Sequence, residues 1–332
     1  MKSKLLIYLL VIVVIIILVG ASYLALTNYI YTKPSVKEDV IVSIPKGSGL
    51  KSISNTLMEN GVVVNDKLFI LYVMKEGWQD QLKAGEYEFK KGATLSEVAS
   101  QIVSGDVLLY QVTIPEGLTV KEIARLLDDK GVLDEKDFIT ETQNKELIAE
   151  LLGPNAKSFE GYLFPETYSY SKSPTAKELI VLMVERFDAV FQPLKELRDK
   201  HKLSDQEIII LASIIEKETG AAFERPIISA VFQNRLRIGM KLDSDPTVIY
   251  GMGERFKGNI KRRHLRELTQ YNTYMIKGLP PGPIANPGKD SIIAVFEPAD
   301  VKYLYFVSKG DGTHHFSNNY REHQNAVNKY QR

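Results

Sequence analysis

The chain has 332 residues, 44% hydrophobic and 25% charged, with a formal net charge of +1. That length can hold two or three domains with cores of their own, and that balance is globular rather than disordered. Near-neutral charge removes the simplest case for nucleic-acid binding, and the absence of cysteine excludes disulfides, thiolate metal sites and cysteine nucleophiles.

Lys2 and Lys4 precede an uncharged stretch from Leu5 to Leu26. Roughly 22 residues at about 1.5 Å rise span about 33 Å, enough for a hydrocarbon core. The apolar part of a cleavable signal runs to about 7–15 residues, so the stretch reads as a transmembrane helix. Small residues in "VGA" and "YLA" keep cleavage as the alternative. Lysines ahead of the span favour a cytoplasmic N-terminus. Residues 1–4 are then a cytoplasmic tail, residues 5–26 meet the lipid bilayer, and the rest is extracytoplasmic.

Residues 27–39, polar with one proline, read as a linker. An internal repeat follows: Val42–Val63 aligns without gaps to Val112–Leu133, and Lys90–Gly105 is a third, partial copy. Each full copy predicts a short strand ending in Ile-Pro, a glycine turn, and a helix stopped by Gly61 or Gly131. The pattern I-P-x-G-x-T-x-x-E-I-A resembles the LysM type of glycan-binding module. That resemblance implies a LysM-like, membrane-proximal βα region over residues 40–135. Contact with N-acetylated sugars and a role as packing and spacing elements are both open to it.

Residues 134–157 predict helix with a break at Gly153-Pro154. Phe159–Tyr170 is aromatic-rich, and Pro165 makes it a loop or edge strand. Its aromatics suit either a core or a sugar cleft. Thr175–Phe191 predicts an amphipathic helix. Ser204 and Glu207 form a capping-box signature ahead of Ile208–Ile215, which has no polar residue but Ser213. A helix apolar nearly all round is buried, so this one should run through the middle of its domain.

That helix ends on Glu216 and Glu218, about 200° apart around the axis. Glu218 lies over Leu211, Ile214 and Ile215, the bulkier side; desolvation there would raise its pKa, the condition for a general acid. The alternative for Glu218 is an exposed C-terminal carboxylate. Glu216 reads as a brace or cap. A second helix begins at Pro226 and runs to Gly239, buried through Ile228, Val231, Phe232 and Leu236, with Asn234 and Arg235 as bracing or surface groups. Gly278–Gly288 is a rigid Pro/Gly loop, Tyr303–Val307 a strand, and Gly310–Phe316 a turn into another strand. His314 and His315 are adjacent, a poor arrangement for one metal ion, and no metal site is expected.

"LASIIEKET", "FQNRLRIGMKL", "DPTVIYGMGER", "YNTY", "GLPPGPIANPG" and "YLYFV", in this order, resemble the MltG (YceG-like) family of endolytic murein transglycosylases. The resemblance implies an α+β architecture: one transmembrane helix, a LysM-like part, and a catalytic domain over residues 136–332 built around the buried helix. It implies an enzyme that cuts peptidoglycan glycan strands internally, with neither metal nor cofactor. The family's catalytic acid is the second glutamate of E-K-E, which falls on Glu218. Asn234, Asp245, Tyr271 and Asn272 are candidates for holding the sugar. Asp243 departs from the family pattern, where glutamine is common. Peptidoglycan synthases are implied as partners, and nucleic acid is not. A non-catalytic peptidoglycan-binding scaffold and a lysozyme-type hydrolase, with Glu216 or Glu224 as second carboxylate, are the competing readings.

Overall fold

In the computed structural model, residues 2–194 and 203–331 are described; Met1 of the expected tail, and residues 195–202 and 332 of the expected catalytic domain, lie outside them. Helix α1 (Lys2–Thr32) is, among the described residues, the one helix long and apolar enough to cross a membrane. It continues six residues past Leu26 because "TNYIYT" holds no breaker before Pro34. Thr27 and Thr32 turn their hydroxyls back onto the carbonyls of Tyr23 and Asn28. Beyond it Val36 is buried and Ser35 Oγ donates to Val62 O at 2.6 Å. Residues 27–39 are therefore helical and then packed, not the free linker that their polarity suggests.

The chain divides into two units, Met1–Tyr110 with Ser169–Lys172, and Gln111–Tyr168 with Ser173–Arg332. In the first, β1 (Val40–Ile44) pairs antiparallel with β2 (Gly85–Phe89), Val40 opposite Phe89 and Ile44 opposite Gly85. Helices α2 (Leu50–Glu59), α3 (Asp66–Lys75) and α4 (Leu95–Ser104) share with this pair a core of Val42, Leu57, Phe69, Phe89 and Ile102. Asn65 caps α3, and Thr94 with Glu97 forms a capping box on α4.

The second unit takes β3 (Leu109–Thr113) from Gln111 onward, α5 (Val120–Asp129), α6 (Glu135–Thr142) and α7 (Lys145–Leu152). The boundary thus falls at Tyr110 rather than near residue 135. The second repeat copy packs with the unit that follows it: Lys217 Nζ donates to Gly117 O at 3.0 Å, and Asn286 N to Leu118 O at 2.9 Å. Strand β4 (Thr167–Ser171) pairs with β3. Phe159, Leu163, Phe164 and Tyr168 are buried, so the aromatic-rich stretch is core.

Helix α9 (Asp205–Glu218) starts on the Ser204–Glu207 capping box, and every residue from Ile208 to Ile215 is buried. Around it pack Phe187 and Phe191 of α8 (Ala176–Leu194), Ile228 and Phe232 of α10 (Arg225–Arg237), and Ile292 and Val295 of α13 (Lys289–Phe296). Its one polar core residue is satisfied: Ser213 Oγ donates to Ile210 O and accepts from Ile284 N at 3.0 Å. The Pro/Gly loop is thereby pinned to α9. Asn286 Oδ1, on the same loop, accepts from Gly161 N and Leu163 N, both at 2.9 Å. Gly161 sits at φ +90°, where a side chain would meet Pro283. Helices α11 (Asp245–Met252) and α12 (Arg262–Leu265) precede that loop. The hairpin β5 (Tyr305–Ser308) and β6 (His314–Ser317) and helix α14 (Tyr320–Tyr330) close the chain.

Candidate active site

The last turn of α9 carries Glu216, Lys217 and Glu218 on three different faces, as about 100° per residue requires. Glu218 opens on a recess of about 420 Å³ whose lining also includes Arg235, Asp243, Asp245 and Tyr274. Ser244 Oγ donates to Glu218 Oε1 at 2.6 Å. Desolvation by the surrounding protein pushes the Glu218 carboxyl up to about 7; the charge of Asp245 adds to the rise, while the Ser244 hydrogen bond and Arg235 oppose it. At neutral pH the group is divided between acid and base, the condition for delivering a proton and taking one back. Two residues on, a side chain at Gly220 would meet Gly312 O at 2.5 Å, so only glycine lets the chain leave α9 this close to the β5–β6 turn.

Asp245, exposed at the start of α11, shares the recess. Its Oδ1 accepts from Tyr274 Oη at 2.7 Å. Tyr274 is held in turn by Asn272, whose Oδ1 accepts from Tyr274 N at 3.0 Å and whose Nδ2 donates to the carbonyls of His264, Leu265 and Glu267. Asn272 is buried, with its amide spent on backbone. Tyr271 packs on Tyr250, ring centroids 4.8 Å apart, and does not line the recess. Asn234 lines a different hollow and donates to Val301 O and Tyr303 O at 2.9 and 3.1 Å. Of the four candidates for holding sugar, the structure therefore brings Asp245 alone to Glu218.

Arg235, one residue after Asn234, reaches the recess and clamps its walls. Its Nε donates to Leu304 O and its Nη1 to Leu242 O, both at 2.6 Å, and Nη1 lies 3.7 Å from Asp243. Asp243 has φ +46°, an uncommon conformation for a residue with a side chain, held between that clamp and Ser244. Ser244 N donates to Thr273 Oγ1 at 3.0 Å. Sequence reasoning missed Ser244 and Tyr274 as neighbours of Glu218; their places directly before Asp-Pro and at the end of "YNTY" were the available signals.

Glu216 points elsewhere. Its Oε2 accepts from Gly288 N at 3.0 Å, at the start of α13, and its Oε1 lies 3.5 Å from Arg225. Glu224 accepts from His314 N at 2.9 Å and contacts His314 Nδ1 at 2.7 Å. Neither forms a carboxylate pair with Glu218.

The sequence model of the YceG-like family matches residues 42–329. The endolytic murein transglycosylase of Bacillus subtilis (strain 168) is 33% identical over 309 residues, covering 89% of this chain and 85% of that protein. The endolytic murein transglycosylase of Streptococcus pneumoniae (strain D39) is 30% identical over 321 residues, 88% of this chain, which spans 58% of that longer relative. A crystal structure of a yceG-like protein from Listeria monocytogenes superposes with a TM-score of 0.60 at 32% identity, covering 87% of this chain and 98% of that one. The chain belongs to the YceG-like family.

Proposed function

We propose that this chain is an endolytic peptidoglycan lytic transglycosylase with Glu218 as its acid–base residue. The observation that carries the reading is Glu218 itself, a carboxyl held up to about 7 by desolvation, set in a recess and hydrogen-bonded by Ser244. The names of the bacillary and streptococcal relatives support the substrate class.

Protonated Glu218 gives its proton to the glycosidic oxygen between N-acetylmuramic acid and N-acetylglucosamine. The C1–O bond breaks with its electron pair on that oxygen. The muramyl 6-hydroxyl forms a bond to C1, and its proton returns to the Glu218 carboxylate. Atoms and charge balance with no water consumed, and the new end is 1,6-anhydro-muramyl. The nucleophile is on the same sugar, which supplies its proximity. Asp245, which shares the recess with Glu218, would favour the positive charge that develops on the reacting carbon.

The same carboxylate favours the lysozyme-type alternative, because it shares the recess with Glu218 as a second carboxylate would. Product ends separate the two. Mass spectrometry of digested strands is expected to find anhydro ends from the wild type and none from Glu218→Gln, with strand binding retained. Reducing ends from the wild type would replace this reading with hydrolysis, and binding without cleavage would leave a scaffold.

The N-terminal helix suits a single-pass anchor, and Lys2 and Lys4 favour its start on the cytoplasmic side. The catalytic unit then works outside the cytoplasm on nascent strands, alongside the synthases that make them. The strand–turn–helix units of the membrane-proximal region are read as LysM-like contacts for the same glycan.

A further inference from the structure

The acidic residues of the recess account for the proposed chemistry, and its aromatic residues have no part in it. Tyr305 of β5 and His323 of α14 are stacked, ring centroids 5.1 Å apart and planes 22° apart. The Arg235 guanidinium lies 5.3 Å from the Tyr305 centroid, so Tyr305 is a support with its surface already engaged. Tyr320, at the start of α14, stands 6.0 Å from Tyr305 and 6.4 Å from His323. It lines the recess and is 59% exposed. Its hydroxyl accepts from Gln324 Nε2 at 2.7 Å, which fixes the ring without covering it.

His323 is half-buried and lines the recess, and it has one nitrogen shut away: Nδ1 is shielded from solvent and has no hydrogen-bond partner. Burial, and then the charge of Arg235, hold the ring below the usual histidine pKa, so it is neutral at neutral pH. A neutral imidazole has one N–H. An enclosed N–H with nothing to receive it is costlier than an enclosed lone pair. The proton is therefore assigned to Nε2, and His323 offers the recess a single donor.

We propose that Tyr320 and His323 form a sugar subsite beside Glu218, the pyranose face lying on Tyr320 and the acetamido carbonyl oxygen accepting from His323 Nε2. The subsite rests on the transglycosylase reading. A donor with no accepting capacity matches an acceptor-only carbonyl better than it matches a hydroxyl. Three carboxyls, Glu218, Asp243 and Asp245, face the same space against Arg235, which disfavours an anionic group of the glycan there. The uncharged acetamido group is what remains.

The test uses the full chain in detergent and peptide-free glycan strands, with and without their N-acetyl groups, following initial rates of anhydro-end formation. Tyr320→Ala should raise KM about tenfold with kcat within about threefold of wild type, since tenfold is about 1.4 kcal/mol, the upper end of what an aromatic contact is worth, and the contact is the same in ground and transition state. Tyr320→Trp should restore it. Removing the acetyl groups should cost wild type more than it costs His323→Phe, which keeps the ring and loses the donor; the charge of the freed amine is common to both and cancels in the ratio. A Tyr320→Ala KM within twofold of wild type, or an equal penalty in His323→Phe, overturns the subsite while leaving the enzyme standing. If wild type makes no anhydro ends, the transglycosylase reading falls by itself. Equilibrium binding of the same strands then decides the subsite, an unchanged Kd in Tyr320→Ala overturning it and a tenfold weaker one upholding it.

Discussion

Ser244 Oγ donates to Glu218 Oε1 at 2.6 Å, so one hydroxyl opposes the burial that keeps the carboxyl protonated. A donor to a carboxylate favours its charged form. Ser244→Ala should therefore raise the Glu218 pKa above its value of about 7. The alkaline limb of the kcat profile should move up by roughly one pH unit, because a hydrogen bond to a charged group is worth about 1.5–3 kcal/mol and one unit is about 1.4 kcal/mol. A limb that stayed in place, read from anhydro-end rates between pH 5 and 9, would remove Ser244 from the site's electrostatics.

Asp245 acts with the opposite sign. Its negative charge helps hold the Glu218 proton, so Asp245→Asn should move the alkaline limb down. It should also lower kcat by about 10²-fold, the usual scale for losing one group placed against developing charge, with KM little changed. A rise in KM at constant kcat would instead make Asp245 a ground-state sugar contact.

Glu160 is a second buried carboxyl pushed up to about 7, by desolvation that outweighs the hydrogen bonds from Val120 N and Tyr250 Oη. Its folded pKa is above its ordinary value, so the folded state binds the extra proton between about pH 4.5 and 7. The stability this group contributes is full at acid pH and is lost as pH rises through 7, by about 3 kcal/mol. Glu160→Gln should flatten that slope and be the more stable protein at pH 8, read by thermal melts across pH. Parallel slopes for the two proteins would contradict the assignment.

Glu216 and Glu218 should part cleanly on substitution. Glu216→Gln removes one of the three carboxylates around a mostly buried Arg225, with Glu116 and Asp290 the others, and weakens the acceptor for Gly288 N at the start of α13. It should cost about 1–3 kcal/mol of stability while cleavage of the folded protein stays within about threefold. Glu218→Gln should abolish cleavage at unchanged or raised stability. Loss of cleavage in a well-folded Glu216→Gln would return that residue to the list of catalytic candidates.

The role of Glu218 as the acid was implied by the family resemblance, whereas the residues themselves offered helix geometry and the size of its neighbours one turn back, which left an exposed carboxylate open. Both are local, and so both are written along the chain. The same logic separated Glu216 correctly in direction, though not in partner, since Gly288 lies 72 residues away. Asn234 shows the limit. Its neighbour Arg235 reaches the recess while Asn234 binds Val301 and Tyr303, and which of two adjacent polar residues faces inward depends on where β5 comes to rest. Tyr274, Tyr320 and His323 were silent for the same reason: a hairpin and two helices distant in sequence have to converge before any of them has a role. Residues 27–32 erred the other way. Polar residues suggested a linker, but an uninterrupted helix needs a stop, and the first one is Pro34.

The last turn of α9 has a consequence for how the protein can vary. Glu216 is engaged with Gly288 and Arg225, Lys217 with Gly117, and Glu218 with Ser244, three successive residues each in its own receptor. The other end of the helix is fixed by the Ser204–Glu207 box. One residue inserted between them would turn the end by about 100° and offer Lys217 to the place of Glu218. Substitutions along the buried run change packing by degrees, whereas a change of length exchanges an acid for a cation in the recess. The spacing between Ser204 and Glu218 is thus as much a part of the active site as the carboxyl it delivers.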